Sequence, residues 1–458
     1  MVKWPEVRRR SYCFSVMSTA LIAASCTMSS IELPDAHMET DSAYSFDSSV
    51  DALRSGTSPW WEAFDDPLLR ELIMTGIRTN TAVSAADQRI VSAQANAERV
   101  GVRINPNVEA AASLSGPATA ANVAGTASLS ITLDLDTSRQ QSREQDRALI
   151  AVSDAISARN HLILDLAGSI ARGYVRLAAN DELIHQTNAD IRRGQALVNA
   201  LETQLEVGDA TQLDLLRTRA ALFDDRATLR RLHGERTALA QELAALAGGD
   251  AQGVARLSAA RGPLGLRAHL FPNAIPANAV RTRPDIRRIE LQYDAARVRV
   301  RDAEAERLPR LFLTGTIDAS SAGLGWRFGP SVSLPPFSAR TRNAAVDRDV
   351  ATAQAILFDW QAAVISGVSE VEAAQARLHG TRAQLEDLRR AKREYDQALS
   401  IAEELFEEGE IALPERLDIE RSRAESHRAL IDARASHLTA FIDLNLALGA
   451  IPQGLDDL

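Results

Sequence analysis

Cysteine is almost absent from this chain. Only Cys13 and Cys26 occur in 458 residues, which excludes a disulfide framework and the paired spacings of a zinc site. Aromatic residues are scarce, at 5%, while alanine is abundant, a balance that favours slender, closely packed helices over a bulky core. Beyond the first 25 residues no stretch reaches the ~20 apolar residues of a membrane-spanning helix, so any crossing of a bilayer must use strands. Excess positive charge is missing as well. The formal net charge is −10, and the first 25 residues carry +3, so a chain cut there is more acidic still, at −13. Nucleic acid, which needs a clustered basic surface, is excluded as a partner. The eight histidines (37, 161, 185, 233, 269, 379, 427 and 437) show no convergent ligand spacing. His427 and His437, ten apart on one expected helix, are expected to face solvent. With no nucleophile elbow or phosphate loop either, the expectation is a protein that is not an enzyme and holds no metal or cofactor.

Both cysteines lie in a leader. Lys3 and Arg8–Arg10 form a basic start, and Tyr12–Ala24 is a short, mostly apolar stretch, too short to span a bilayer and suited to a secretory signal. It ends Leu21-Ile22-Ala23-Ala24-Ser25-Cys26, which resembles a bacterial lipobox and makes Cys26 the candidate lipidated residue, with 1–25 as signal peptide. Residues 26–58, rich in Ser, Asp and Thr without a sustained period, read as an extended tether.

What is present is a long unit that occurs twice. Leu205-Glu206-Val207-Gly208-Asp209 leads into Leu213-Asp214-Leu215, and some 200 residues later Leu405-Phe406-Glu407-Glu408-Gly409-Glu410 leads into Leu413-Pro414 and Leu417-Asp418-Ile419. Each glycine turn stands roughly 100 residues after a proline, Pro106 or Pro309, that opens an alternating run. In the first copy (59–249) Leu129, Ile131, Leu133 and Leu135 alternate with Ser130, Thr132 and Asp134, the period of a hairpin with one apolar and one polar face over 107–136. The second copy (284–449) has its strand pair at 310–335. Proline-free reaches from about Ser138 to Gln204 and Ala339 to Glu408 predict helices of ~100 Å if continuous. Each turns at its glycine and returns, giving long antiparallel hairpins over 138–247 and 339–448. Residues 250–283 read as a connecting segment and 450–458 as a tail. Asp66 and Pro67 are the expected cap and first turn of a helix whose Leu68, Leu69, Leu72 and Ile73 share a face.

The fold class expected is therefore mainly α with a small β part, in two structural repeats. Four strands leave free edges that lipid cannot tolerate, and three chains would close a barrel of about twelve strands.

Trp60-Trp61 with Phe64 and Asp66-Pro67, then Arg281-Thr282-Arg283-Pro284-Asp285-Ile286, then Gly329-Pro330-Ser331-Val332-Ser333-Leu334-Pro335 resemble, in this order, the outer-membrane efflux proteins, and within them the TolC/OprM-like lipoproteins of the NodT group. The resemblance covers nearly all of the chain after the tether. It implies a homotrimeric exit duct with a twelve-stranded barrel in outer-membrane lipid and an α-helical tunnel in the periplasm. The tunnel would dock on a periplasmic adaptor and an inner-membrane pump of RND type. Matching by the glycine turn carries the family's constricting aspartate onto Asp418, with Arg421 one helical turn later as its partner in a periplasmic gate; Arg217 holds the corresponding position of the first copy. Gly208 and Gly409 shape the tips, flanked by Asp209, Leu213, Glu410 and Leu413 as candidate adaptor contacts. The competing class is a periplasmic coiled-coil adaptor or structural envelope protein that forms no barrel, and an adaptor would carry one helical hairpin rather than two. The first hairpin lacks aromatics altogether, a thin girdle for a barrel.

Overall fold

The computed structural model describes residues 33–36, 59–101, 106–115, 124–136, 139–208, 210–249, 280, 283–320, 323–334 and 339–449. Cys26, Asp209 and nearly all of the connecting segment lie outside the described residues. In chain order the elements are α1 (Pro67–Thr79), α2 (Thr81–Val100), β1 (Asn107–Ser115), β2 (Ala124–Asp134), α3 (Gln140–Val207), α4 (Gln212–Ala247), α5 (Pro284–Ala305), β3 (Arg310–Ser320), β4 (Gly323–Ser333), α6 (Ala339–Glu407) and α7 (Leu413–Ala447), preceded by a 3-10 turn over Trp60–Phe64. The duplication is explicit in that order: strand pair, very long helix, glycine turn, returning helix, twice. The chain divides into two compact units. One contains Arg103–Arg143 and Ala295–Ala355, the other Met38–Val102, Glu144–Asp294 and Ile356–Leu458.

The first unit holds a four-stranded antiparallel sheet in the order β1-β2-β3-β4. The hairpins of the two copies meet through β2 and β3, in a register that pairs Leu129 with Ile317 and Leu133 with Leu313. Because side chains alternate, Val108, Leu129, Ile131, Ile317, Trp326, Phe328 and Val332 come to one face, and all are exposed. The other face carries Glu109, Ser130, Thr132, Thr316 and Arg327 in matching rows. In one chain β1 and β4 have one unpaired edge each. At the base, Arg310 meets Asp134 at 3.2 Å and Arg143 meets Asp302 at 2.5 Å.

The second unit is helical, and its core gathers around the Trp60-Trp61 turn. Trp60, Trp61 and Phe64 are buried and meet edge-on, and Phe64 packs on Phe441 of α7 with ring centroids 5.8 Å apart. Asp66 caps α1 by accepting from the Leu68 and Leu69 amides, and its other oxygen accepts from the buried Tyr174 hydroxyl at 2.8 Å. Leu68, Leu69, Leu72 and Ile73 are buried, as their spacing predicts. The long helices cross closely enough that Gly168 of α3 lies under Leu446, whose Cδ1 would be 2.5 Å from an added Cβ. Among the described residues no helix is long and apolar enough to cross a membrane.

Arg283 explains the motif that precedes α5. Its guanidinium donates to the Ala447 carbonyl at the end of α7 (3.0 Å) and to Asp285 (2.8 Å), and it pairs with Glu370 of α6 at 2.8 Å. Burial disfavours its charge, but the two carboxylates more than offset that and hold its pKa above the ordinary value. One planar fork thus joins the start of α5, the middle of α6 and the end of α7. Arg283→Ala is expected to destabilise the helical unit by about 1–3 kcal/mol. Arg283→Lys is expected to recover only part of this, since an ammonium lacks the fork. The check is the denaturation midpoint of the detergent-solubilised protein; a lysine variant as stable as the parent would show that the fork is dispensable.

Candidate functional site

The two glycine turns end α3 and α6. Gly208 has φ +90° and Gly409 φ +75°, the left-handed conformation that closes a helix, and both positions are open around an added Cβ. The turns differ in how the returning helix begins. Thr211 caps α4, accepting from the Asp214 amide and donating to the Asp214 carboxylate at 2.6 Å. At the second turn Ala412 offers no side-chain cap, and α7 instead opens with Pro414 in its first turn.

Behind the turns the two hairpins share one core. Leu197, Val198 and Leu201 of α3, Leu215 and Leu222 of α4, and Leu413 of α7 are buried together, with Phe406 and Leu417 packed against them. Leu413, a candidate adaptor contact from its position, therefore points into this core. An apolar residue opening α7 has a buried neighbour within reach, and burial wins. Leu213 and Glu410 are exposed, with Leu213 55% accessible. Arg416 covers the core's edge, its guanidinium 5.5 Å above the Phe406 ring and 3.5 Å from Glu403.

Asp418 and Arg421 are exposed on α7. Among the described residues they form no ion pair with each other or with any other side chain. An i,i+3 partnership is geometrically available, yet both charges point outward. Arg217, at the corresponding place of the first copy, is exposed too.

One to two turns farther along α7 the opposite holds. Arg423 donates to Asp396 of α6 at 2.7 Å and stands 3.7 Å from Asp190 of α3. Asp190 pairs with Arg193, which in turn reaches Glu420 at 3.7 Å. Lys392 and His427 complete the Asp396 shell at 2.5 and 3.2 Å. Burial alone would raise the Asp396 pKa, but hydrogen bonds from Lys392 and Arg423 pull it below the ordinary carboxylate range. Burial holds Glu420 above that range, with Arg416 and Arg193 opposing only in part. Burial, together with the cations Arg423 and Lys392, lowers the His427 pKa. The expectation that His427 and His437 face solvent is corrected here: both are buried. His427 bonds Asp396, and His437 bonds Thr381 across the α6/α7 hairpin at 3.1 Å. Both turn inward because an imidazole can satisfy a buried polar partner while remaining neutral. The network was missed in the sequence, although its signal is there: Glu420, Arg423 and His427 stand at spacings of three and four, one stripe of a helix. Among the described residues no group of three or more His, Cys, Asp or Glu is placed to hold a metal.

Two hairpins and two strand pairs, joined into one sheet, do not fit an adaptor with a single hairpin. Comparison with known proteins agrees. The family model described as outer membrane efflux protein matches residues 75–249 and 275–450, one segment for each copy. Nodulation protein T of Rhizobium leguminosarum bv. viciae is 25% identical over 404 residues, covering 85% of this chain and 84% of its own. The probable efflux pump outer membrane protein TtgC of Pseudomonas putida is 26% identical over 471 residues, covering 95% and 94%. Among solved structures, the MtrE outer membrane channel of Neisseria gonorrhoeae superposes with a TM-score of 0.76 at 22% identity, covering 92% of this chain and 97% of MtrE. The repeated strand-and-hairpin unit, matched once in each copy, places the chain in the outer membrane efflux protein family, as an exit duct of the outer membrane.

Proposed function

We propose that three copies of this chain close their sheets into one twelve-stranded barrel. Their helices then form a tunnel whose periplasmic end is narrowed by Asp418 and Arg421, and which a periplasmic adaptor and an RND-type inner-membrane pump engage at the tips. The single observation that carries the gate is the contrast along α7. Glu420, Arg423 and His427 are turned into the chain and partnered, whereas Asp418 and Arg421 are turned out and unpartnered in one copy. Outward charges near the end of a hairpin are available to neighbouring copies, and three carboxylates around a threefold axis repel anions and draw cations. Such exposed pairs are worth about 0–1 kcal/mol each, so an aperture held by them can open when an adaptor competes for it. Glu410 and Leu213, exposed at the tips, are proposed adaptor contacts together with Asp209, with Gly208 and Gly409 setting the shape of the turns; Leu413 supports them from the core. Cys26 is the proposed lipid anchor to the outer membrane. Asp418→Ala is expected to raise single-channel conductance in a planar bilayer and to weaken cation preference. Conductance and selectivity equal to the parent's would remove Asp418 from the gate.

A further inference from the structure

The polar face of the sheet carries a second set of charges, remote in sequence from the tips. Cross-strand register sets one row as Glu109 on β1, Ser130 on β2, Thr316 on β3 and Arg327 on β4. The adjacent row toward the β3–β4 connection runs Ala111, Ser128, Asp318 and Gly325. Arg327 leans diagonally by one row to meet Asp318 at 3.1 Å and is still 79% exposed. Every uncharged side chain in the two rows is small (Ser, Thr, Ala or Gly), so Arg327, Asp318 and Glu109 alone stand out from this part of the face. Glu109 has no ionic partner among the described residues.

Stability does not account for these charges. An exposed cross-strand pair contributes about 0.2–1 kcal/mol, and an unpaired glutamate contributes nothing of the kind. Position does account for them. The opposite face is lined by exposed Ile317, Leu324, Trp326 and Phe328, the composition of a lipid-facing surface, which leaves the Glu109–Arg327 face for the lumen. Asp318 and Arg327 lie toward the β3–β4 connection, and the long helix α6 follows the other end of β4.

We infer that Asp318, Arg327 and Glu109 form a charged collar inside the outer part of the barrel, and that this collar sets the ion preference of the mouth separately from Asp418. The inference rests on the closed three-copy barrel proposed above. Closure sets β4 of one copy beside β1 of the next, so Arg327 and Glu109 of neighbouring copies stand on adjacent strands. Two acids against one base leave one net negative charge per copy, a weakly cation-preferring ring. Arg327 masks part of it.

The test is the reversal potential across a planar bilayer in a KCl gradient, with the full chain and three variants. Arg327→Gln unmasks Asp318 and is expected to raise the cation-over-anion permeability ratio roughly twofold or more. Asp318→Asn leaves Glu109 balanced by Arg327 and is expected to lower the ratio below the parent's. The double exchange Asp318→Arg with Arg327→Asp keeps the total charge and is expected to restore the parent's ratio, which guards against a single variant that inserts poorly. Insertion is checked independently by recovery of a heat-modifiable trimer. A conducting parent whose ratio is unmoved by both single substitutions overturns the collar and leaves the barrel intact. A parent that yields no trimer and no channel overturns the barrel, and the collar with it.

Discussion

Ile131→Arg is expected to abolish recovery of the protein from outer membranes, whereas Thr132→Arg, one residue away, is expected to leave it nearly unchanged. Ile131 stands on the exposed apolar face near the middle of β2, opposite Gly315 and in one row with Val108 and Phe328. An arginine facing lipid at the bilayer midplane costs about 2–4 kcal/mol, and a ring of three copies would carry that cost three times. The neighbouring glycine offers no polar side chain to receive the guanidinium. Thr132 belongs to the polar face, in one row with Asn107, Thr314 and Gly329, where an added cation remains hydrated. The measurement is the amount of heat-modifiable trimer in purified outer membranes. Recovery of Ile131→Arg with loss of Thr132→Arg would mean that the faces have been assigned the wrong way round, and equal recovery would mean that neither face meets lipid at this row.

The second large effect is expected at Trp61. Its side chain is only 2% exposed and sits in edge contact with Trp60, in the same aromatic group as Phe64 and Phe441. Trp61→Ala empties a large, fully buried space beside Trp60, and the expected loss is about 3–5 kcal/mol. The indole nitrogen of Trp61 is buried without an acceptor, so its hydrogen-bonding group is a cost in the folded chain. Trp61→Phe removes that cost along with part of the apolar volume and is expected to be far milder than Trp61→Ala. Denaturation midpoints of the two detergent-solubilised variants decide the matter: if phenylalanine destabilises as much as alanine, the site is held by something other than packing.

These two sites also mark how far the sequence could be read. The alternation of Leu129, Ile131 and Leu133 with Ser130 and Thr132 stated the two faces of the first hairpin, since a strand has only one period available to it. Proline-free runs of nearly seventy residues stated the long helices, and Gly208 and Gly409 stated where they turn. The Trp-Trp-x-x-Phe pattern was visible as a pattern, but its purpose was not: Phe441, the ring it packs against, lies at the far end of the chain. The same limit hid the Asp190–Arg423–Asp396 network. Its acids and bases look like any solvated stripe on a long helix, because whether a charge points outward or inward depends on which helix lies alongside. Leu413 and His427 were misjudged for that reason. Asp418 was assigned by resemblance through the glycine turn, and its exposure on α7 is an observation of one copy alone.

The network has a consequence for how this gene can change. Asp190 descends from one copy of the duplicated unit, Arg423 and Asp396 from the other, and Asp190 and Arg423 are largely shut off from water. Loss of Arg423 leaves Asp190 paired with Arg193, and loss of Asp190 leaves Arg423 paired with Asp396, so each change removes one ionic partner from a largely buried charge. A substitution in one half is therefore felt in the other, though each half keeps a partner of its own. The two copies, which read as separate repeats along the chain, no longer vary independently at this joint.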